Sequence, residues 1–371
     1  MRILINCAAG IVSGKEIMCL HLLRELKNRG HDVHCIMASW GSDDFRDRLR
    51  ELNVPFESLR MGFISKTFTW SAIRMTLVQA IYLPYLWLKY YDYIRRRRPE
   101  VIIHTNFHHL FLLYPFLHLT RNIYWSHEVV GGSKFYSTLF RWYEKKMLAF
   151  VAVSRAVETS LLTCIHQRPV YVVTNGIALP ETPPGRPPQE GPVVLAIAGQ
   201  VSFNKGHHVL LEALSELPRD QFVLRIFGSG TSDYVQHLKQ LMMEMNLANN
   251  CKWEGFVKDT SKIYEGVDIL IVPSVFPDPF PTTVMEAGVR GIVVVGSTSG
   301  GIPEMIQPGV NGYLFPSGDG IALRAILSEL MQSRKYITMS EPARIFAEAQ
   351  FGLPAFAGKF EQLIVEVTSH A

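Results

Sequence analysis

Five prolines fall between positions 176 and 191, in the stretch GIALPETPPGRPPQEG. Such a segment can be neither the interior of a helix nor the middle of a sheet, so regular structure must stop there. On both sides of it one pattern starts afresh. Residues 2–7 (RILINC) read as a buried strand, AAGIVSG as a loop, residues 16–29 as a helix ended by Gly30, and DVHCIMA as the next strand. Apolar runs at 101–105, 122–125, 150–153 and 170–173 continue the series. After the break, residues 193–199, 222–228, 268–274 and 291–297 read as strands and 207–217 as a helix. Strands alternating with helices mean parallel sheets, here two of them in succession.

With 371 residues, each half is long enough for its own core. The expected division is a first domain over 1–178, a proline-rich linker over 179–189 and a second domain over 190–349. The helical pattern at 347–367 predicts a last helix, about 350–371, that packs back on the first domain.

Charge divides along the same line. Residues 1–175 carry 23 Lys/Arg against 13 Asp/Glu, and the remainder carries 14 against 20, for a net charge of +4. A basic half suits phosphates or acidic lipids, and a solvated basic face is the plainer alternative. The five cysteines (Cys7, Cys19, Cys35, Cys164, Cys251) are scattered, with no CxxC pair. They suggest neither a disulfide framework nor a zinc site, and point to a cytosolic setting. The start, MRILINCAAG, is too short and strand-like for a signal peptide.

Between Arg74 and Lys89 the chain runs uncharged, with Pro84 inside. A spanning helix needs roughly 20 apolar residues, so a span is rejected. Trp70, Tyr82, Tyr85, Trp87, Tyr90, Tyr91 and the four arginines at 95–98 leave two readings open. One is peripheral anchoring on the anionic inner face of a membrane. The other is a buried helix with a basic end.

The richest chemistry lies in SVFPDPFPTTVMEA, residues 274–287. Asp278 and Glu286 stand eight positions apart, with Pro281, Thr282 and Thr283 set to open a helix between them. Proline suits the first helical position, and the free N–H groups there suit a phosphate. The two acids could hold the hydroxyls of a sugar and of a ribose. A surface turn and a surface helix residue are the plain alternatives. Lys205, in the strand-to-helix loop GQVSFNKG, offers a point charge to a diphosphate. Gly300 and Gly301 follow a strand and let backbone approach a ligand.

In the first half, GIVSGKE (10–16) fails as a P-loop, because Glu16 stands where a Ser/Thr must reach magnesium. A glycine turn into a helix start remains, with Gly14 open to close approach. His127, in WSHEVVGG, follows a strand end and is a candidate polar group at the site. His104, His108 and His109 cluster without a carboxylate at hand, so metal binding is disfavoured.

Taken in order, GQVSFNKG, FGSG, WEGFV, PSVFPDPFPTTVMEA, GGIPEMI and NGYLF resemble family 4 of the retaining glycosyltransferases, of GT-B fold. The resemblance covers nearly the whole chain and is most specific between residues 199 and 315. It implies two Rossmann-like domains facing a cleft, the second holding a nucleotide sugar. It implies metal-independent transfer with retention, here expected to move a hexosyl unit from a UDP- or GDP-sugar to an acceptor hydroxyl without a cofactor, and the aromatic and basic stretch at 70–98 suggests a glycan or lipid-linked acceptor. By position, Lys205 would bind the diphosphate, Asp278 the sugar and Glu286 the ribose. Thr282 and Thr283 would bind phosphate through N–H groups, while Gly228, Phe256 and Val257 would border the base. Gly14 would close over the diphosphate, and His127 would contact the sugar. Three positions depart from the family: Asp278 replaces Glu, Gln200 replaces an Arg beside the phosphates, and Pro281 replaces Gly.

Two further functions share these features. A sugar-nucleotide epimerase of the same fold would need no acceptor. A non-catalytic, membrane-associated scaffold would tolerate the three departures. A dinucleotide oxidoreductase is weaker, because no GxGxxG follows the first strand.

Overall fold

The computed structural model describes residues 1–7, 12–39, 43–61, 70–130, 134–180 and 191–369. Most of the proline-rich linker, Gly10, Gly131 and Gly132 lie outside the described residues. The chain divides into two units, Met1–Gly176 with Leu353–Ala371, and Ile177–Gly352.

The first unit opens with β1 (Arg2–Cys7), α1 (Gly14–Asn28), β2 (Asp32–Ala38), α2 (Asp43–Glu51), β3 (Phe56–Leu59) and α3 (Trp70–Arg97). It continues with β4 (Val101–His104), α4 (Phe107–Leu113), β5 (Asn122–Ser126), α5 (Lys134–Glu144), β6 (Ala149–Ala152), α6 (Arg155–Leu162) and β7 (Val170–Val172). The strands form one sheet in the order β3-β2-β1-β4-β5-β6-β7. All pairs are parallel, with Ile5 between Cys35 and Ile103. Because helices cover both faces, the inner strands are buried throughout, as in VIIH and AFVA.

The second unit comprises β8 (Val193–Ala198), α7 (His207–Ser215), β9 (Phe222–Phe227), α8 (Ser232–Glu244), β10 (Cys251–Gly255) and α9 (Ser261–Tyr264). There follow β11 (Ile269–Val272), α10 (Thr282–Gly288), β12 (Val293–Ser297), β13 (Gly312–Phe315), α11 (Gly320–Ser333) and α12 (Lys335–Phe351). Its parallel sheet runs β10-β9-β8-β11-β12-β13. Leu195, Leu224, Ile269, Val293 and Phe315 anchor the core on one face.

The last helix expected at about 350–371 is observed from Leu353, after a break that the helical pattern at 347–367 does not show. Gly352 adopts an extended backbone (φ −60°, ψ 136°) between α12 and α13 (Leu353–Ser369). Pro354 then takes an early position in α13, where its missing N–H costs nothing. α13 packs on the first unit. Phe360 meets Trp125 with ring centroids 4.9 Å apart, and Glu361 accepts from Arg29 at 2.9 Å.

Two buried histidines lie at the end of β4, in the middle of the first sheet, and on the helix that follows it. His104 sits between Asn6 (3.3 Å) and Asn122 (3.0 Å), a pairing that suits the neutral ring with its proton on Nε2. Burial lowers its pKa from 6.5 to about 4. His109, at the start of α4, has both ring nitrogens buried without a partner among the described residues. Burial, and then the charge of Lys15, lowers its pKa from 6.5 to about 3. Below pH 6.5 the unfolded chain takes up these two protons and the folded chain does not. Stability is therefore full above 6.5 and falls as pH drops through the window down to those lowered values. Each ring adds a slope of about 1.4 kcal/mol per pH unit there. Thermal melts followed by circular dichroism should show this loss, and His109→Gln should flatten it. An unchanged slope in that variant would remove His109 from the account.

Candidate functional site

In the second sheet the chain runs outward from β8 to β9 and β10, then returns to the other side of β8 as β11. The strand order thus reverses between β8 and β11. Loops leaving the carboxyl ends of two such strands diverge and leave room for a ligand. These two loops, residues 199–206 and 273–281, are the ones the sequence marked.

Backbone contacts hold the two loops together. The N–H of Val275 donates to the carbonyl of Asn204 at 2.9 Å. Gly206 (φ +69°) passes so close to Pro273 that a Cβ would lie 1.8 Å from its carbonyl oxygen. The Ser297 and Ser317 hydroxyls both donate to the carbonyl of Ser274, at 2.7 and 3.2 Å.

This arrangement brings Lys205 and Asp278 into contact. Lys205 Nζ donates to Asp278 Oδ2 at 2.5 Å, an ion pair closed across 73 positions of sequence. The Asp278 side chain is 7 % exposed and that of Lys205 36 %, so the acid is the anchored partner and the ammonium the accessible one. Asp278 is held from behind as well. Its carbonyl accepts from Gly301 N–H at 2.7 Å. Gly300 has φ +62°, and a Cβ there would fall 2.2 Å from the Asp278 carbonyl oxygen. The glycine pair, read in the sequence as approaching a ligand, approaches Asp278.

Pro281 stands one residue before α10, with ψ 123°, and not at its first turn as the sequence predicted. The first bond of the turn is Val284 N–H to the Pro281 carbonyl at 3.2 Å. Thr282 and Thr283 therefore present the N–H groups that precede it. Glu286 is half-buried and accepts from the hydroxyl of Tyr264 at 2.7 Å. Burial, then the Glu286 charge, raises the Tyr264 pKa well above its usual value, so that phenol stays a donor. Arg290 lies over the Tyr264 ring at 4.9 Å. Sequence reasoning missed Tyr264, since no spacing rule ties SKIYEG to the acid on α10.

The remaining candidates in this unit line the same ends of the sheet. Gly228 follows β9 with φ +131°, and a Cβ there would lie 1.7 Å from the Gly199 carbonyl oxygen. Phe256 follows β10 with 75 % of its surface exposed, and Val257 is half-buried. Gln200 is exposed.

Gly14 and His127 belong to the first unit. Gly14 is the first residue of α1, whose start is organised by Glu16. That carboxylate accepts from the Ser13 N–H at 3.1 Å and the Ser13 hydroxyl at 2.5 Å, a helix cap in place of the P-loop hydroxyl. His127 packs its ring 4.3 Å from that of Trp125, and its Nε2 is enclosed without a partner among the described residues. Burial and the Lys15 charge push its pKa well below the usual value, so the ring is neutral. Burial opposes the Lys15 ammonium, but its acidic neighbours, Glu16 first (3.7 Å away), together outweigh it and raise its pKa. Among the described residues no group of three or more His, Cys, Asp or Glu is gathered to hold a metal ion.

The family profile "Glycosyl transferases group 1" matches residues 180–347, and "Glycosyltransferase Family 4" matches 12–180. The chain belongs to the group 1 glycosyltransferases. Among its relatives is an uncharacterized glycosyltransferase of Methanocaldococcus jannaschii, 33 % identical over 36 % of this chain and 35 % of that one. Another is the amylovoran biosynthesis glycosyltransferase AmsK of Erwinia amylovora, 30 % identical over 43 % of this chain and 40 % of that one. In both, the match spans well under half of the relative's length. The crystal structure of Anabaena HepE with UDP and glucose superimposes with a TM-score of 0.80, covering 99 % of this chain and 100 % of that one at 21 % identity. This likeness shows that the chain has the GT-B fold.

Gly300 tests how Asp278 is held. Gly300→Ala should destabilise the second unit by about 2 kcal/mol, from left-handed strain and displacement of the Asp278 backbone. Gly309→Ala, with φ +79° but nothing within 4 Å, carries the strain alone and should cost about half as much. Calorimetric melts compare them, and equal losses would mean that Gly300 does not buttress Asp278.

Proposed function

We propose that the protein transfers a hexosyl unit from a nucleoside diphosphate sugar to an acceptor hydroxyl, with retention and without a metal. The observation that carries this reading is the Lys205–Asp278 ion pair at the reversal point of the second sheet. An accessible ammonium, fixed by a buried carboxylate at a site shaped for a ligand, suits a diphosphate. As the sugar–oxygen bond breaks, negative charge grows on the leaving diphosphate. Lys205 and the N–H groups of Thr282 and Thr283 would stabilise it there without having to reorganise. Glu286, turned by Tyr264, would take the ribose hydroxyls, and Phe256 and Val257 would border the base. Asp278 is already engaged by Lys205, which argues against it as a covalent nucleophile and for a same-face displacement. In the first unit, Gly14 and the neutral His127 stand as separate candidates, His127 as a hydrogen-bonding group.

The crystal structure of Anabaena HepE in complex with UDP-glucose makes UDP-hexoses the first donors to try. The names of relatives such as AmsK support a glycan acceptor in polysaccharide synthesis.

The test is titration with UDP and with UDP-hexoses by calorimetry, followed by transfer assays. Lys205→Ala should lower kcat/KM by about 10²–10³-fold. A Lys205→Ala variant with full activity at subsaturating donor would end this assignment. Asp278→Asn should weaken UDP itself by about tenfold, because Lys205 loses its anchor. Unchanged UDP affinity with weakened UDP-hexose would return Asp278 to the sugar alone. Donor incubated without acceptor should yield slow hydrolysis, whereas an epimerised sugar would favour the epimerase.

A further inference from the structure

α3 is apolar on two opposite faces, and among the described residues only one of them is covered. The inward face carries Leu86, Tyr90, Tyr93 and Ile94, which pack on Leu4, Ile36, Ile102 and Leu113 of the first unit. Trp87 is drawn inward as well, its Nε1 donating to the Leu112 carbonyl at 2.8 Å. Two of the aromatics that the sequence offered as anchors, Trp87 and Tyr90, are therefore held by the protein's own interior.

At 100° per residue, Trp70, Leu77, Ile81, Tyr85 and Leu88 fall in one stripe on the other side. They are exposed, Trp70 by 86 %, Ile81 by 76 % and Leu88 by 69 %. Soluble proteins rarely leave so long an apolar stripe bare unless something docks on it. Basic groups border the stripe. Arg74, Lys89, Arg95 and Arg96 are exposed, and Asp92, the helix's only acid, is paired with Arg96 at 2.7 Å. Tyr82 and Tyr91 add amphipathic rings at its margin.

We propose that this face of α3 lies on an anionic lipid surface. The stripe would enter the headgroup–acyl boundary while arginine and lysine meet lipid phosphates. Charge selects this occupant over a second copy of the chain. A two-fold contact would set one basic-edged stripe against another, with a single acid, already paired, to offset it. α3 lies on the surface and does not cross it, since no helix among the described residues is long and apolar enough to span a membrane. The proposal stands apart from the donor site and survives if that reading fails.

The experiment is co-sedimentation of the full chain with vesicles of phosphatidylcholine, with and without phosphatidylglycerol, at low and high salt. Binding should require the anionic lipid and weaken with salt. Leu77→Asp with Ile81→Asp should reduce binding about a hundredfold. Arg95→Gln with Arg96→Gln should reduce it about thirtyfold. Both pairs alter exposed side chains, and unchanged melting curves would exclude unfolding as the cause. Three results overturn the proposal. The parent could stay in the supernatant with anionic vesicles at low salt. The double aspartate variant could bind as the parent does. Or the parent could sediment as a dimer that the same variant dissolves, making the stripe a contact between copies.

Discussion

The ion pair between Lys205 and Asp278 is the contact around which the second unit's working end is organised. A lysine on an unsupported loop samples many rotamers and offers a ligand little preorganised charge. Here a buried carboxylate limits it to one direction, and close backbone contacts hold the loops that carry the pair. Each contact depends on a glycine, Gly206 against Pro273 and Gly300 against Asp278. The loops can close only because the sheet reverses between β8 and β11, which sets their origins side by side. Topology, glycine placement and charge therefore act in series, and the accessible ammonium is their product.

The first unit repeats the topology with different chemistry. Its sheet also reverses, between β1 and β4, and polar groups again gather at the strand ends. Asn6 and His104 hydrogen-bond there, and His109 and His127 lie within the field of Lys15. Burial and a nearby cation keep those imidazoles neutral. The first unit thus offers neutral donors and acceptors around one retained ammonium, whereas the second offers an ion pair.

Much of the fold was legible because buried parallel strands read as continuous apolar runs. RILINC and the strands at 101–104 and 193–198 needed nothing beyond that. The strands left unread, β3 (FESL), β10 (CKWEG) and β13 (GYLF), are short, and all three are sheet edges among the described residues. Half-exposed edge strands carry charge and glycine, which erases the pattern. The break at Gly352 escaped for a related reason. Helical periodicity runs through it, and only the local backbone shows the extended residue. α3 shows the opposite limit, since an apolar period marks a helix without saying which of two greasy faces the protein covers.

The sequence by itself determined two α/β halves, the break between them and the residue types a nucleotide sugar would need. Those depend on local pattern: apolar runs, helical periods, prolines, and acids around a helix start. Only the tertiary structure decided that Lys205 and Asp278 are partners, that Gly300 supports an acid, and that Tyr264 holds Glu286. The pairings join positions 73 and 22 residues apart, and no local rule reaches that far. Side-chain contacts of that range exist only once the strand order has brought the loops together.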